Sequence, residues 1–144
     1  MLFICTGNYY RSRFAEALFN HLARERGLAW QADSRGTDLD GAGRWNVGPI
    51  SDYAREALEA RGIPVGDEPR MPAQLRDDDL ATADLAIAVC EHEHRPYVER
   101  AHPDRSARVE YWSVDDLGVT SADDALAALH EHVEKLIDRL AAQT

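Results

Sequence analysis

The feature that most constrains this 144-residue chain is its opening stretch, Met1 to Ser12. The apolar run Leu2-Phe3-Ile4 ends at Cys5. Thr6-Gly7-Asn8-Tyr9-Tyr10 follows, and Arg11 and Ser12 lead into a long amphipathic segment. An unbroken apolar run is the signature of a strand buried on both faces. Phe14, Leu18 and Leu22 then recur with helical spacing, and Gly27 marks the stop. The chain must therefore run from a buried strand through a tight loop into a helix N-terminus, with a thiol at one end of the loop and a guanidinium at the other.

The rest repeats the alternation. Trp30 to Ser34 reads as a second strand. Ser51 caps a helix running to Arg61. The segment from Gly62 to Pro72 carries Pro64, Pro69 and Pro72 and reads as an irregular connection. Gln74 to Thr82 suits a short helix, Leu85 to Val89 a central strand, and Glu91 to Ala101 a helix interrupted or started near Pro96. Arg108 to Val114 reads as a fourth strand. Ser121 with Asp124 resembles a capping box, ahead of a stripe of Ala125, Leu126, Leu129, Val133, Leu136, Ile137 and Leu140. Strands alternating with helices imply right-handed crossovers. The expected fold is α/β: one domain over residues 1–144, a three-layer sandwich whose four-stranded parallel sheet has helices on both faces. Ligands of such sheets sit at the carboxyl ends of the strands. Cys5, Ser34, Cys90 and Asp115-Asp116 are all expected at that edge.

Charge narrows the partners. The formal charge is −10, which argues against nucleic acid and against an anionic membrane surface. An anionic substrate must then be caught by local groups. No apolar run reaches the roughly 20 residues of a membrane span. Met1 to Ile4 is too short for a signal-peptide core, and two cysteines make no disulfide framework. A cytoplasmic protein with reduced thiols, monomeric or weakly dimeric, is expected.

The loop can hold a phosphate-like dianion. Gly7 and Asn8 tolerate left-handed backbone angles, so the N–H groups of residues 6–12 can line an anion nest. Arg11 can grip two phosphoryl oxygens with its planar fork. Ser12 can donate to the Cys5 sulfur. The helix N-terminus and Arg11 both favour the thiolate form, the nucleophilic state of cysteine.

Cys5-Thr-Gly-Asn-Tyr-Tyr-Arg-Ser resembles the phosphate-binding loop of the low-molecular-weight protein-tyrosine phosphatases, whose pattern is Cys-x-Gly-Asn-x-Cys-Arg-Ser. Ser34-Arg-Gly-Thr resembles the family's Ser-Ala-Gly-Thr segment, whose serine supports the loop asparagine. Trp45-Asn-Val-Gly resembles the segment whose tryptophan walls the substrate cleft. Asp84-Leu-Ala-Ile-Ala-Val is similar to the third strand, and Trp112-Ser-Val-Asp-Asp-Leu stands where the family keeps its Asp-Pro acid loop.

The resemblance implies hydrolysis of phosphotyrosine-like monoesters, on a protein or a small molecule, without metal or cofactor. Cys5 is the nucleophile, Arg11 the phosphate clamp and Asp116 the general acid and base, with Asp115 as fallback. Thr6, Gly7, Asn8, Tyr9, Tyr10, Arg11 and Ser12 bind phosphate, Ser34 supports the loop and Trp45 walls the cleft. There are departures. Tyr10 replaces the second loop cysteine, Arg13 the usual proline, and the acid loop lacks its proline and aromatic. Tyr9 and Tyr10 are expected on the rim, and Arg70 stands where relatives often keep a histidine near the loop.

Two alternatives stay open. Arsenate reductases of this fold use a resolving cysteine near the position of Cys90, although their further cysteine is Tyr97 here. A non-catalytic phosphate-binding module is the other. No metal site is expected: His92 and His94, like His130 and His132, are two residues apart and point to different helix faces, and no cysteine or acid stands at ligand spacing.

Overall fold

The computed structural model describes residues 1–143. Leu2–Cys5 forms β1, Arg11–Glu25 α1, Asp33–Gly36 β2, Asp52–Ala60 α2, Asp77–Thr82 α3, Ala86–Ala88 β3, Glu91–Ala101 α4, Val109–Tyr111 β4 and Ala122–Ala142 α5. The four strands are parallel, in the order β2-β1-β3-β4. This is the α/β sandwich expected.

Alternation along β1 divides the core. Phe3 and Cys5 face one way, into a cluster with Phe14 and Phe19 of α1, Leu58 of α2 and Leu129 and Ile137 of α5. Leu2 and Ile4 face the other way, against Leu80 of α3 and Val98 of α4. Both faces of a four-residue strand are thereby buried, which explains why its sequence is apolar at every position.

The helix ends follow local chemistry. Ser51 and Ser121 accept from the backbone N–H groups of Ala54 and Asp124 and cap α2 and α5. The α5 stripe read from the sequence is buried in full, from Ala125 to Leu140. Pro96 lies inside α4 without breaking it; only the bond to the carbonyl four residues back is lost.

The second strand falls later than the expected Trp30 to Ser34. Trp30 packs on the larger core cluster from outside the sheet, while Asp33–Gly36 pairs with Leu2–Cys5 in parallel register. Ser34 thus lies within the strand rather than beyond its end. Gly36 permits the close approach: a Cβ there would lie 2.7 Å from the Thr6 carbonyl and 2.9 Å from the Asn8 nitrogen.

Candidate active site

Cys5 ends β1 beside β3, where the order of the strands reverses, the position at which doubly wound sheets bind ligands. Residues 6–10 then loop back into α1. The carbonyls of Cys5, Thr6 and Tyr9 accept from the N–H groups of Thr37, Asp38 and Ser51. Because a trans peptide holds C=O and N–H antiparallel, the N–H groups of Thr6, Gly7 and Tyr10 point away from those neighbours. That orientation makes an anion nest.

Asn8 carries the left-handed backbone, at φ 50°. Gly7 does not share it. A Cβ there would lie 2.6 Å from Asn46 Nδ2, the tip of an exposed side chain that can move aside. The Asn8 side chain fixes the loop from behind. Its Oδ1 accepts from Arg70 Nη1 at 3.0 Å and from the Ala73 N–H at 3.0 Å. Its Nδ2 donates to Ser12 Oγ at 2.9 Å and to Ser34 Oγ at 2.8 Å. Ser34 in turn donates to Glu16 Oε1 at 2.6 Å.

These bonds orient the next one. Ser12 Oγ accepts from Asn8 and lies 2.9 Å from the Cys5 sulfur, to which its hydroxyl can donate once the sulfur is a thiolate. A hydroxyl proton aimed at sulfur stabilises it as an anion. Arg70, given no role from sequence beyond its position, ties the network together: Nη2 also reaches Glu16 at 3.0 Å, Asp33 at 2.9 Å and the Ser34 carbonyl at 2.8 Å.

Arg11 is 2% exposed. Its Nη1 donates to the Val114 carbonyl and its Nη2 to Glu93 Oε2, both at 2.8 Å. Asp116 Oδ2 lies 3.5 Å from the same Nη2. Burial works against the charge of Arg11, but the Cys5 sulfur, Glu93 and Asp116 outweigh it and hold the proton more tightly than usual. Glu93 was not singled out in the sequence; its only signal was a carboxylate in the first turn after the third strand.

His94 supports the loop from α4. Its Nδ1 accepts from the Cys90 N–H at 3.2 Å, so the neutral ring carries its proton on Nε2, 3.1 Å from Thr6 Oγ1. Burial, with Arg11 nearby, lowers its pKa to about 3. His94 is therefore neutral at physiological pH.

A cleft of about 610 Å³ opens over the loop, lined by Cys5, Arg11, Tyr9, Tyr53, Asp116 and Leu117 among others. Asp116 faces the cleft; Asp115 turns away to Cys90 Sγ at 3.5 Å and His92 Nε2 at 3.3 Å. Tyr9 donates to the Val47 carbonyl at 2.7 Å. Tyr10 is no mere rim residue: it is buried in the larger core cluster, donates to the Ala122 carbonyl at 3.3 Å and has its pKa raised to about 12 by burial and by Asp116.

The expectation for Trp45 is corrected. It is 77% exposed, with the Arg44 guanidinium 5.1 Å over its ring, and lies outside the cleft lining. Its neighbours Gly43 and Asn46 line the cleft, so the segment reaches the site while the Trp45 side chain does not. Tyr53 of α2 lines the cleft, as do Tyr9 and Tyr10. Cys90 also lies outside the cleft lining. Burial pushes its thiol up, and the Glu93 and Asp115 carboxylates act in the same direction.

With this geometry in place, comparison with known proteins decides the family. The family model for low molecular weight phosphotyrosine protein phosphatase matches residues 1–143. The chain belongs to this family.

Among its relatives, low molecular weight protein-tyrosine phosphatase A of Mycobacterium tuberculosis is 39% identical over 88 residues, covering 60% of this chain and 50% of that protein. The chain spans about half the length of the curated relatives it matches. In solved structures the likeness is longer. The low molecular weight protein tyrosine phosphatase of T. tengcongensis superposes with a TM-score of 0.77 at 28% identity, covering 99% of this chain and 97% of that one. The arginine phosphatase YwlE, in a mutant with a phosphorylated active-site serine, superposes with a TM-score of 0.74 at 25% identity, covering 99% and 93%.

Proposed function

We propose that this chain is a metal-independent phosphatase that cleaves phosphomonoesters of phosphorylated proteins, phosphotyrosine above all, through a phosphocysteine intermediate. The single observation that carries the reading is the pairing of a thiol with a donor-lined loop. Cys5 Sγ lies 2.9 Å from Ser12 Oγ, and Arg11 lines the same cleft.

In the first step the Cys5 sulfur attacks phosphorus. The S–P bond forms as the bond to the leaving oxygen breaks, and Asp116 gives that oxygen its proton. Arg11 has five N–H donors and spends two on Val114 and Glu93. The other three, with the loop N–H groups, hold the equatorial oxygens as charge develops. In the second step the Asp116 carboxylate takes a proton from water, the new P–O bond forms, the S–P bond breaks, and the thiolate returns. Asp116 suits the role and Asp115 does not, because only Asp116 faces the cleft beside Arg11. Tyr53 and Leu117 form the wall against which an aryl ring packs.

A second reading concerns the substrate. Asp52 and Glu56 join Asp116 on the cleft wall, and three carboxylates beside a phosphate site suit a substrate with positive charge next to its phosphoryl group. Phosphoarginine has that charge, and YwlE is an arginine phosphatase.

Steady-state hydrolysis of phosphotyrosine and phosphoarginine peptides by wild type, Cys5→Ser and Asp116→Asn tests both readings. Metal-independent turnover, lost in Cys5→Ser and strongly reduced in Asp116→Asn, is expected. Preference for phosphoarginine that falls in Glu56→Gln would select the second reading. No turnover of either peptide would overturn both.

A further inference from the structure

Behind the phosphate loop lies a cluster of which the proposed reaction draws only on Glu93, through Arg11. Cys90 ends the chain segment after β3, His92 stands in the first turn of α4, and Asp115 follows β4. Together with Glu93 they place one ligand atom each within 4.8 Å of one another. Asp115 is 25 residues from Cys90 in sequence, so ligand spacing could not reveal the group.

The edges of the cluster match a metal polyhedron. A tetrahedral zinc site, with a Zn–S bond of about 2.3 Å and Zn–N and Zn–O bonds of about 2.0–2.1 Å, has ligand-to-ligand edges of about 3.3–3.6 Å. Here Cys90 Sγ to Asp115 Oδ1 is 3.5 Å and His92 Nε2 to Asp115 Oδ1 is 3.3 Å, both within that range, and Cys90 Sγ to His92 Nε2, at 3.8 Å, needs to close by about 0.2 Å. The backbone holds two of the three in place. Cys90 bridges Ser113, and the Val114 N–H donates to Val89 at 2.8 Å, pinning the ends of the two strands together. His92 is 71% exposed and gives an ion its path in.

We propose that Cys90, His92 and Asp115 form a binding site for a zinc-class divalent cation, with Glu93 or solvent as the fourth ligand. A soft thiolate, an imidazole and a carboxylate select such an ion over magnesium or calcium, which take oxygen ligands. Binding replaces the Cys90 thiol proton with the metal–sulfur bond, and the proton leaves to solvent. The site is separate from Cys5, Arg11 and Asp116, yet it adjoins them. Asp115 precedes Asp116 in the chain, and Glu93 holds Arg11.

The test is calorimetric titration of Zn²⁺ into the reduced, metal-free protein, paired with absorption spectra after Co²⁺ addition. Neither readout depends on turnover, so its failure is distinguishable from failure of the phosphatase reading. One site is expected, with a thiolate-to-cobalt charge-transfer band and tetrahedral d–d bands. Cys5→Ser should keep both. Cys90→Ser should abolish the charge-transfer band, and His92→Ala, a surface change that leaves the fold intact, should weaken affinity at least tenfold. Absence of binding would overturn the site. So would a band that survives Cys90→Ser and disappears in Cys5→Ser, which would place the ion at the nucleophile.

Discussion

At the scale of single residues, Asn8 and Asp116 carry different parts of the account. Asn8 spends all of its side-chain hydrogen bonds on Arg70, Ala73, Ser12 and Ser34 while holding a left-handed backbone. Asn8→Ala removes these bonds, leaves buried donors and acceptors unpaired and keeps the strained φ. A loss on the order of 2–3 kcal/mol in urea unfolding is expected. Asp116→Asn should lower kcat on phosphotyrosine by about 10²–10⁴-fold, the usual worth of a general acid. Asp115→Asn should change it far less, because Asp115 faces Cys90 and His92. His94 makes stability depend on pH. Folded, it stays neutral down to about 3, whereas its ordinary value is 6.5. Between those values the unfolded chain binds the extra proton. Stability is therefore full above that range and falls as pH drops through it, by up to roughly 1.4 kcal/mol per pH unit. Thermal unfolding across the upper part of this window should show the slope in wild type and a flatter one in His94→Gln.

At the scale of elements, α5 and the two serine caps are the parts most open to test. Leu129 of α5 is fully buried against β1 and α1, so Leu129→Ala should cost about 2–5 kcal/mol. Ser121→Ala removes one cap bond at the start of the same helix and should cost about 1 kcal/mol, both read from denaturant midpoints. These elements were also the most legible in the sequence. Period 3.6 in α5 and an unbroken apolar run in β1 are local signals, and each matches the faces that are buried. The second strand was less legible. Its residues, Asp33 to Gly36, have no apolar pattern, and it forms because β1 offers an edge and Gly36 lets the loop approach. Trp30, the apolar residue that attracted the reading, packs on the core from beside the sheet. Trp45 was misplaced for a similar reason: its local motif does not specify the path of the backbone, and the side chain is exposed while Asn46 beside it lines the cleft.

At the scale of the whole molecule, the sheet order brings four distant segments to one edge: the loop after β1, Arg70 with Ser34, Glu93 and His94 at the start of α4, and Asp116 after β4. The loop itself was legible because Cys5, Gly7, Asn8, Arg11 and Ser12 are nearly contiguous in the sequence. The supports were not. Glu93 reaches Arg11 across 82 residues and Arg70 reaches Asn8 across 62, and no spacing rule connects them. No helix among the described residues is long and apolar enough to cross a membrane. In the proposed mechanism Cys5 takes up the phosphoryl group. Asp116→Asn tests it most directly when mixed with an aryl phosphate whose leaving group needs no proton. The first step then proceeds while the second lacks its base, and phosphoenzyme accumulates. Acid quench, proteolysis and mass spectrometry should find one phosphoryl group on the peptide that contains Cys5, and none when Cys5→Ala is added. A phosphoryl group on any other residue, or hydrolysis that continues in Cys5→Ala, would contradict the account.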